Sequence, residues 1–237
     1  METSLKIAGA LLGILVPYLF IITLNKGIRV SHFDDERKGK FKQILWTLVV
    51  IGTIAIWILS ISKTLDYHTG DVVPRFAIPL LVIVIMGIWL LGNKYFQTIL
   101  SSTSLVSLVG VQSFRLAGTA FFLITYLKIL PAPFQLAGYG DLFTGMLAIA
   151  AANAIHKKSA SARGLFWLFN VVGLLDLFNV SILLLVYYPL WNNSAITSEA
   201  ATKFSLIMIP AIAAPFAILL HIYSIVSAIK PKKEFSF

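Results

Sequence analysis

Residues 44–62 read ILWTLVVIGTIAIWILSIS, nineteen consecutive residues without an ionisable side chain. An α-helix needs ~20 mainly apolar residues to cross the ~30 Å hydrocarbon core of a bilayer, so this stretch predicts a transmembrane helix. Other apolar runs lie on both sides of it. We predict seven spans, at about residues 5–24, 44–62, 76–91, 106–130, 138–155, 164–187 and 204–229.

The composition of the chain supports a membrane protein. Of its 237 residues, 58% are hydrophobic and 12% are charged, whereas soluble domains carry about 25% charged residues. The links between the runs are too short for a soluble domain, so we expect one all-α transmembrane domain over residues 1–237. Because the chain has no cysteine, disulfides and thiol catalysis are excluded.

The basic residues of the links predict the orientation, because cytoplasmic links are enriched in Lys and Arg. Thirteen lie on one side of the predicted membrane and five on the other, which places the N-terminus outside and the C-terminus in the cytoplasm. The cytoplasmic set is Lys26, Arg29, Arg37, Lys38, Lys40, Lys42, Lys94, Lys157, Lys158, Arg163, Lys230, Lys232 and Lys233. The outer set is Lys6, Lys63, Arg75, Lys128 and Lys203.

The net charge of +9 is therefore interpreted as a topology signal, and no nucleic acid is expected as a partner. The expected partners are the lipid bilayer, a small anionic ligand or a proton, and a second copy or another membrane protein. The chain shows no targeting signal, so the plasma (cytoplasmic) membrane is the expected location. Residues 95–104, rich in Ser and Thr, are expected to form a short helix along the cytoplasmic interface.

Polar and ionisable side chains are concentrated in the last four predicted spans. A charged group at mid-bilayer costs ~2.5–3.5 kcal/mol even on insertion scales, so such groups pair with each other or face a watery cavity. Counting 1.5 Å per residue from the cytoplasmic helix ends places Arg115, Asp141 and Asp176 within ~6 Å of one depth. A second layer nearer the cytoplasm contains Gln112, Asn170 and His221, and Asn179 shares a helix face with Asp176.

Asp141 has two interpretations. On a regular span from residue 138, it begins a stripe of small residues that allows close helix approach: Gly145, Ala148 and Ala152. Alternatively, it caps the N-terminus of a shorter helix after Pro131 and Pro133, and the preceding link then dips into the membrane. Both place a polar pocket below the outer surface.

The three charged groups also have two interpretations. They could form a buried salt bridge that fixes helix packing. Alternatively, two carboxylates beside one guanidinium leave one carboxylate able to hold a proton, which suits proton-coupled translocation or recognition of an anionic ligand. His221 is either a packed, hydrogen-bonded residue or a proton relay toward the cytoplasm.

No catalytic residue, metal site or cofactor is predicted. The seventh span has no lysine for a retinal Schiff base, the histidines do not face each other as haem ligands would, and no zinc-ligand spacing or GxSxG elbow occurs.

The leading hypothesis is a transporter or a protein that binds a small ligand or ion in a pocket among spans four to seven. In it, Arg115 binds an anionic group and Asp141 and Asp176 carry the compensating charge or a proton. Gln112, Asn170, Asn179 and His221 then line the inner part. The alternatives are an intramembrane lipid hydrolase that uses the Asp pair and His221, and a structural or assembly subunit of a membrane complex.

Overall fold

The computed structural model describes residues 2–192 and 194–229, and within them the chain is helical with no strand. This confirms the predicted all-α class. Three residues assigned to the cytoplasmic side lie outside the described residues: Lys230, Lys232 and Lys233. The α-helices are α1 (Glu2–Val30), α2 (Asp35–Ile61), α3 (Ala77–Leu90), α4 (Lys94–Ser102), α5 (Leu105–Gly110), α6 (Ala120–Tyr126), α7 (Gln135–His156), α8 (Ala162–Val186) and α9 (Ala214–Ile229).

Among the described residues, five helical stretches are long and apolar enough to cross a membrane, and a bent pair of helices adds a sixth if it is one span. The five are Ile7–Val30, Asp35–Ile61, Leu105–Tyr126, Ala162–Val186 and Ile209–Ile229. The pair is α3 and α4, whose axes meet at 91°. The short helix expected near residues 95–104 is therefore observed as α4. At 22 residues α7 is also ~33 Å long, but it is not among these apolar stretches; its sequence includes three glycines, Asp141 and Asn153.

α2 begins at Asp35, well before the predicted start at Ile44, because a polar segment caps it. The carboxylate of Asp34 accepts a hydrogen bond from the backbone N–H of Arg37 at 2.8 Å. Acidic residues in the first turn favour this end of a helix. The polar link predicted before residue 44 is thus largely helical.

The stretch predicted as the fourth span is helical in three pieces. Between α5 and α6 lies a nine-residue 3-10 helix, Val111–Thr119, which is long for this geometry. The last span is also irregular, because a π-helical segment, Ile209–Ala213, precedes α9. Pro210 and Pro215 lie at this junction, where a missing N–H and the proline ring disturb regular α-helical hydrogen bonding.

α7 is the central element around the polar residues, since it packs on α8, on α5 and on the 3-10 segment. The helix follows the short turn that begins at Pro131, and Phe134 occupies its cap position. Asp141 is therefore the seventh helical residue, and the interpretation of Asp141 as the N-cap is wrong. The small-residue stripe is buried as expected: Ala148 is fully buried, and Gly145 lies against Leu116.

The link between α2 and α3 carries an ion pair outside the long helices. The guanidinium of Arg75 donates to both carboxylate oxygens of Asp71, with Nε–Oδ2 and Nη2–Oδ1 distances of 2.9 and 3.0 Å. The hydrogen bond from Arg75, followed by one from the backbone of His68, lowers the pKa of Asp71 below its ordinary value.

Candidate functional site

Arg115 lies at the centre of the polar residues, with its side chain only 2% exposed. Its Nε donates to Oδ1 of Asp141 at 2.6 Å, and its Nη2 donates to Oδ2 of Asp176. The three side chains come from the 3-10 segment, α7 and α8. The structure therefore brings the three charged groups of the sequence prediction into direct contact.

The remaining nitrogen of the guanidinium is also engaged. Nη1 donates to the backbone carbonyl of Gly173 at 3.1 Å and lies 3.5 Å from Nε2 of His221. All three nitrogens of Arg115 thus have acceptors inside the protein. A guanidinium satisfied in this way is well stabilised in a buried position.

A chain of hydrogen bonds continues from Arg115 through His221. Nδ1 of His221 lies 3.0 Å from Oδ1 of Asn170, which also accepts from the hydroxyl of Ser224 at 3.0 Å. Because Oδ1 of Asn170 is an acceptor, we assign the histidine proton to Nδ1, which leaves the lone pair of Nε2 facing Arg115. The side-chain amide of Asn170 donates to the carbonyl of Phe166 at 2.9 Å.

Helical spacing explains why these residues share one interior. In a 3-10 helix residues three apart are aligned, which places Gln112 directly in line with Arg115. On α8, Gly173 shares a face with Asn170, three residues before it, and with Asp176, three residues after it. Along the helix axes the side chains therefore form two layers. The charged layer consists of Arg115 and its two carboxylate partners, and the inner layer consists of Asn170 and its hydrogen-bonded neighbours.

Three glycines let the layers pack closely. A methyl group on Gly118 would overlap the carboxylate of Asp141, and one on Gly140 would overlap that of Asp176. One on Gly173 would overlap the ring of His221. The charged side chains therefore lie against bare backbone, and larger residues at these positions would separate the ion pairs.

Two predicted site residues do not join the hydrogen-bonded chain. Gln112 is fully buried, and both polar atoms of its amide are without a partner among the described residues. Asn179 is half-buried, and its side chain makes no hydrogen bond within residues 2–192 and 194–229. Its place one turn after Asp176 is as expected, but contact with the charged layer is not observed.

Sequence reasoning did not identify Gly173 or Thr144, and of Ser224 it noted only the spacing of three residues from His221. Thr144 lies one turn after Asp141 and is buried, with no hydrogen bond from its hydroxyl in the described part of the chain. The signal available was spacing, since Thr144 and Ser224 each lie three residues after a predicted site residue. In the described residues, no three His, Asp or Glu side chains are grouped to hold a metal ion.

Comparison with known families matches residues 75–229, from just before α3 to the end of α9, to a family described as a domain of unknown function, DUF8737. The chain belongs to the DUF8737 family. No curated protein and no solved structure matches the chain. The DUF8737 region contains every residue of the charged layer and of the inner layer, whereas α1 and α2 lie outside the match.

A cavity of about 300 Å³ lies beside the charged layer. The DUF8737 region provides its polar wall, formed by Arg115, Asp141 and Asp176. The opposite wall comes from α1 and is apolar; Leu11 and Leu15, which are 58% and 44% exposed, form its edge. The site is thus an apolar chamber with an ionic wall, at the low end of the range of ligand-pocket volumes.

Proposed function

We propose that this chain is a seven-span integral membrane protein of the plasma membrane that binds and moves a small ligand, coupled to a proton at Asp141 and Asp176. The single observation that carries the proposal is the contact of one guanidinium with two carboxylates on the wall of a cavity. Ion pairs within apolar helices are costly and are associated with ligand or proton pathways.

The seven-span topology counts α7 and the α3–α4 pair as spans beside the five apolar stretches. α7 is long enough and packs between two candidate spans, α8 and the stretch Leu105–Tyr126. The excess of Lys and Arg on one side supports a cytoplasmic C-terminus.

Because the chain has no cysteine, single cysteines report this topology directly. In intact cells a membrane-impermeant maleimide should label Val72→Cys, in the exposed link before α3, and spare Glu36→Cys, at the start of α2. The opposite labelling pattern would overturn the proposed orientation.

The balance of charge supports the proton. Two carboxylates and one guanidinium carry a net charge of −1 when all are ionised, and a buried excess charge is unfavourable. A proton or a bound cation removes the excess. An anion bound to Arg115 receives less support, since all three nitrogens already have acceptors inside the protein.

The hydrolase alternative receives no support from the geometry. His221 is fully buried, does not line the cavity, and contacts Arg115 and Asn170 rather than either carboxylate. A packing role for the ion pairs agrees with the fully satisfied guanidinium, and the following experiment separates that role from transport.

The test is reconstitution into liposomes that contain a pH-sensitive dye. With a pH gradient imposed, wild-type protein should dissipate the gradient faster than empty liposomes, and Asp176→Asn should slow the dissipation. Asp34→Asn, which changes an exposed carboxylate, is the matched control. Equal rates for wild type and Asp176→Asn, with both proteins folded by size-exclusion chromatography, would contradict proton coupling at this site and leave the packing role.

A further inference from the structure

The free polar atom on the cavity wall is an acceptor. Oδ2 of Asp141 receives no hydrogen bond from the described residues and lies against Gly118, which also lines the cavity. Oδ1 of Asp176 also lacks a partner among the described residues, but it is buried against Gly140, away from the lining. The nitrogens of Arg115, in contrast, are all engaged. Since a buried acceptor without a donor costs free energy, the cavity is complementary to a group that donates hydrogen bonds.

The net charge of the cavity wall further restricts the class of ligand. The groups that face the two carboxylates are Arg115 from the 3-10 segment and, behind it, His221 from α9. The wall from α1 adds no titratable side chain among the residues that line the cavity. A donor with one positive charge would therefore neutralise the wall, and an ammonium group satisfies both requirements.

The remaining lining decides between an inorganic and an organic cation. Small metal cations bind six or more oxygens, partly from water, whereas the cavity offers carboxylate oxygens on one wall and side chains of Leu, Ile, Phe and Ala elsewhere. An apolar body fits this lining. The ligand should also be small, because the cavity measures about 300 Å³.

The residues at the edge of the cavity indicate the route by which a ligand enters it. Leu11 and Leu15 of α1 and the exposed Ala117 of the 3-10 segment border the cavity. These are apolar residues on the side of long apolar helices, not in a polar link. A ligand that first partitions into the bilayer would therefore meet the opening from the hydrocarbon.

From these observations, we infer that the cavity binds a protonated amine with a short apolar chain or ring, its ammonium group donating to Oδ2 of Asp141 and balancing the excess negative charge of the Asp141–Asp176 pair. This inference rests on the proposed function and specifies its ligand class. The ammonium and the proton occupy the same carboxylates, so binding of one displaces the other, which is the coupling that an exchanger of amines for protons requires.

Three probes of equal chain length test the ligand class: n-octylamine, n-octanol and n-octanoate. Equilibrium binding to wild-type protein in lipid nanodiscs is measured at neutral pH, with protein-free nanodiscs subtracted to remove partitioning. A hydrogen bond to a charged group contributes ~1.5–3 kcal/mol, so n-octylamine should bind about tenfold or more tightly than n-octanol. n-Octanoate should bind most weakly, because its charge repels the carboxylates.

Variants locate the site. Asp141→Asn should reduce n-octylamine binding to the level of n-octanol, while Asp34→Asn on the exposed start of α2 should leave it unchanged. If Asp141→Asn does not fold, Asp176→Asn replaces it, and the selectivity of the wild-type protein among the three probes remains a complete test.

The outcomes separate this inference from the proposed function. Stronger binding of n-octanoate, or no preference for n-octylamine, would overturn the ammonium ligand; if Asp176→Asn still slows gradient dissipation, the proton-coupled function stands. No binding of any probe, together with equal gradient dissipation by wild type and Asp176→Asn, would overturn both.

Discussion

Replacement of Arg115 by methionine should destabilise the protein by about 3–5 kcal/mol, the usual cost of removing one partner from a buried ion pair. Methionine retains much of the length of the side chain, so the change removes the charge rather than the packing. Asp141 and Asp176 would then lack their charged partner, with side chains only 17% and 4% exposed.

The assay is reversible unfolding in mixed micelles, followed by helical circular dichroism. Arg75→Met is a matched control, because Arg75 also donates two hydrogen bonds to carboxylate oxygens, both of Asp71, but is 36% exposed, and exposed ion pairs contribute little. Combining Arg115→Met with Asp141→Asn and Asp176→Asn should recover part of the loss. A value for Arg115→Met within about 1 kcal/mol of wild type would refute the assignment of Arg115 as a buried, paired cation.

Two further predictions concern a glycine and the Asp71–Arg75 ion pair. Gly140→Ala should destabilise the protein by ~1–3 kcal/mol in the same assay, because the methyl group overlaps the carboxylate of Asp176; Gly39→Ala, where nothing lies within 4 Å, should instead be neutral or stabilising. Arg75→Gln should raise the pKa of Asp71 toward its ordinary value of 3.8, since the hydrogen bond from Arg75 is the main cause of its lowering. The lowered pKa means that this carboxylate stabilises the fold at neutral pH and that the effect is lost as the pH falls below 3.8. NMR titration of the Asp71 carboxyl carbon checks the shift, and an unchanged pKa in Arg75→Gln would contradict it.

The helical architecture and the charged layer could be predicted because both follow from the cost of polar groups in an apolar environment. Long runs without ionisable residues leave helices as the structure that satisfies the backbone. The same cost forces Arg115 toward opposite charges. Counting residues along helices was sufficient to indicate that Asp141 and Asp176 are the partners at its depth.

Local geometry could not be predicted in the same way. Asp141 after a Pro/Gly-rich link satisfies the composition of an N-cap, yet the helix begins earlier, at Gln135. What decides is the packing of Gly138 and Gly140 against Phe122 and Asp176, which place this link inside the bundle as regular helix. Tertiary contacts of this kind leave no signal in local propensity.

The partners of His221 and the role of Gly173 are also tertiary. A backbone carbonyl that accepts from Arg115 has no signature in the sequence, because every residue has one. The bond from His221 to Asn170 depends on the relative rotation of α8 and α9, which is not fixed by the pattern of either helix alone. Residue spacing predicts only that His221 and Asn170 lie at a similar depth.

The nine-residue 3-10 segment between α5 and α6 determines how α6 is rotated about the helix axis relative to α5. An α-helix turns about 100° per residue and a 3-10 helix about 120°, so nine residues add about half a revolution. A continuous α-helix would place the buried side chains of α5 and α6 on nearly opposite sides; with the added half revolution, both sets face the interior that holds Arg115. They are Leu105, Leu108 and Val109 in α5, and Phe121, Ile124 and Thr125 in α6. Inserting one residue into the segment before Arg115 would therefore rotate all later residues of this helical stretch about its axis by about a third of a turn. The guanidinium would then point away from both carboxylates.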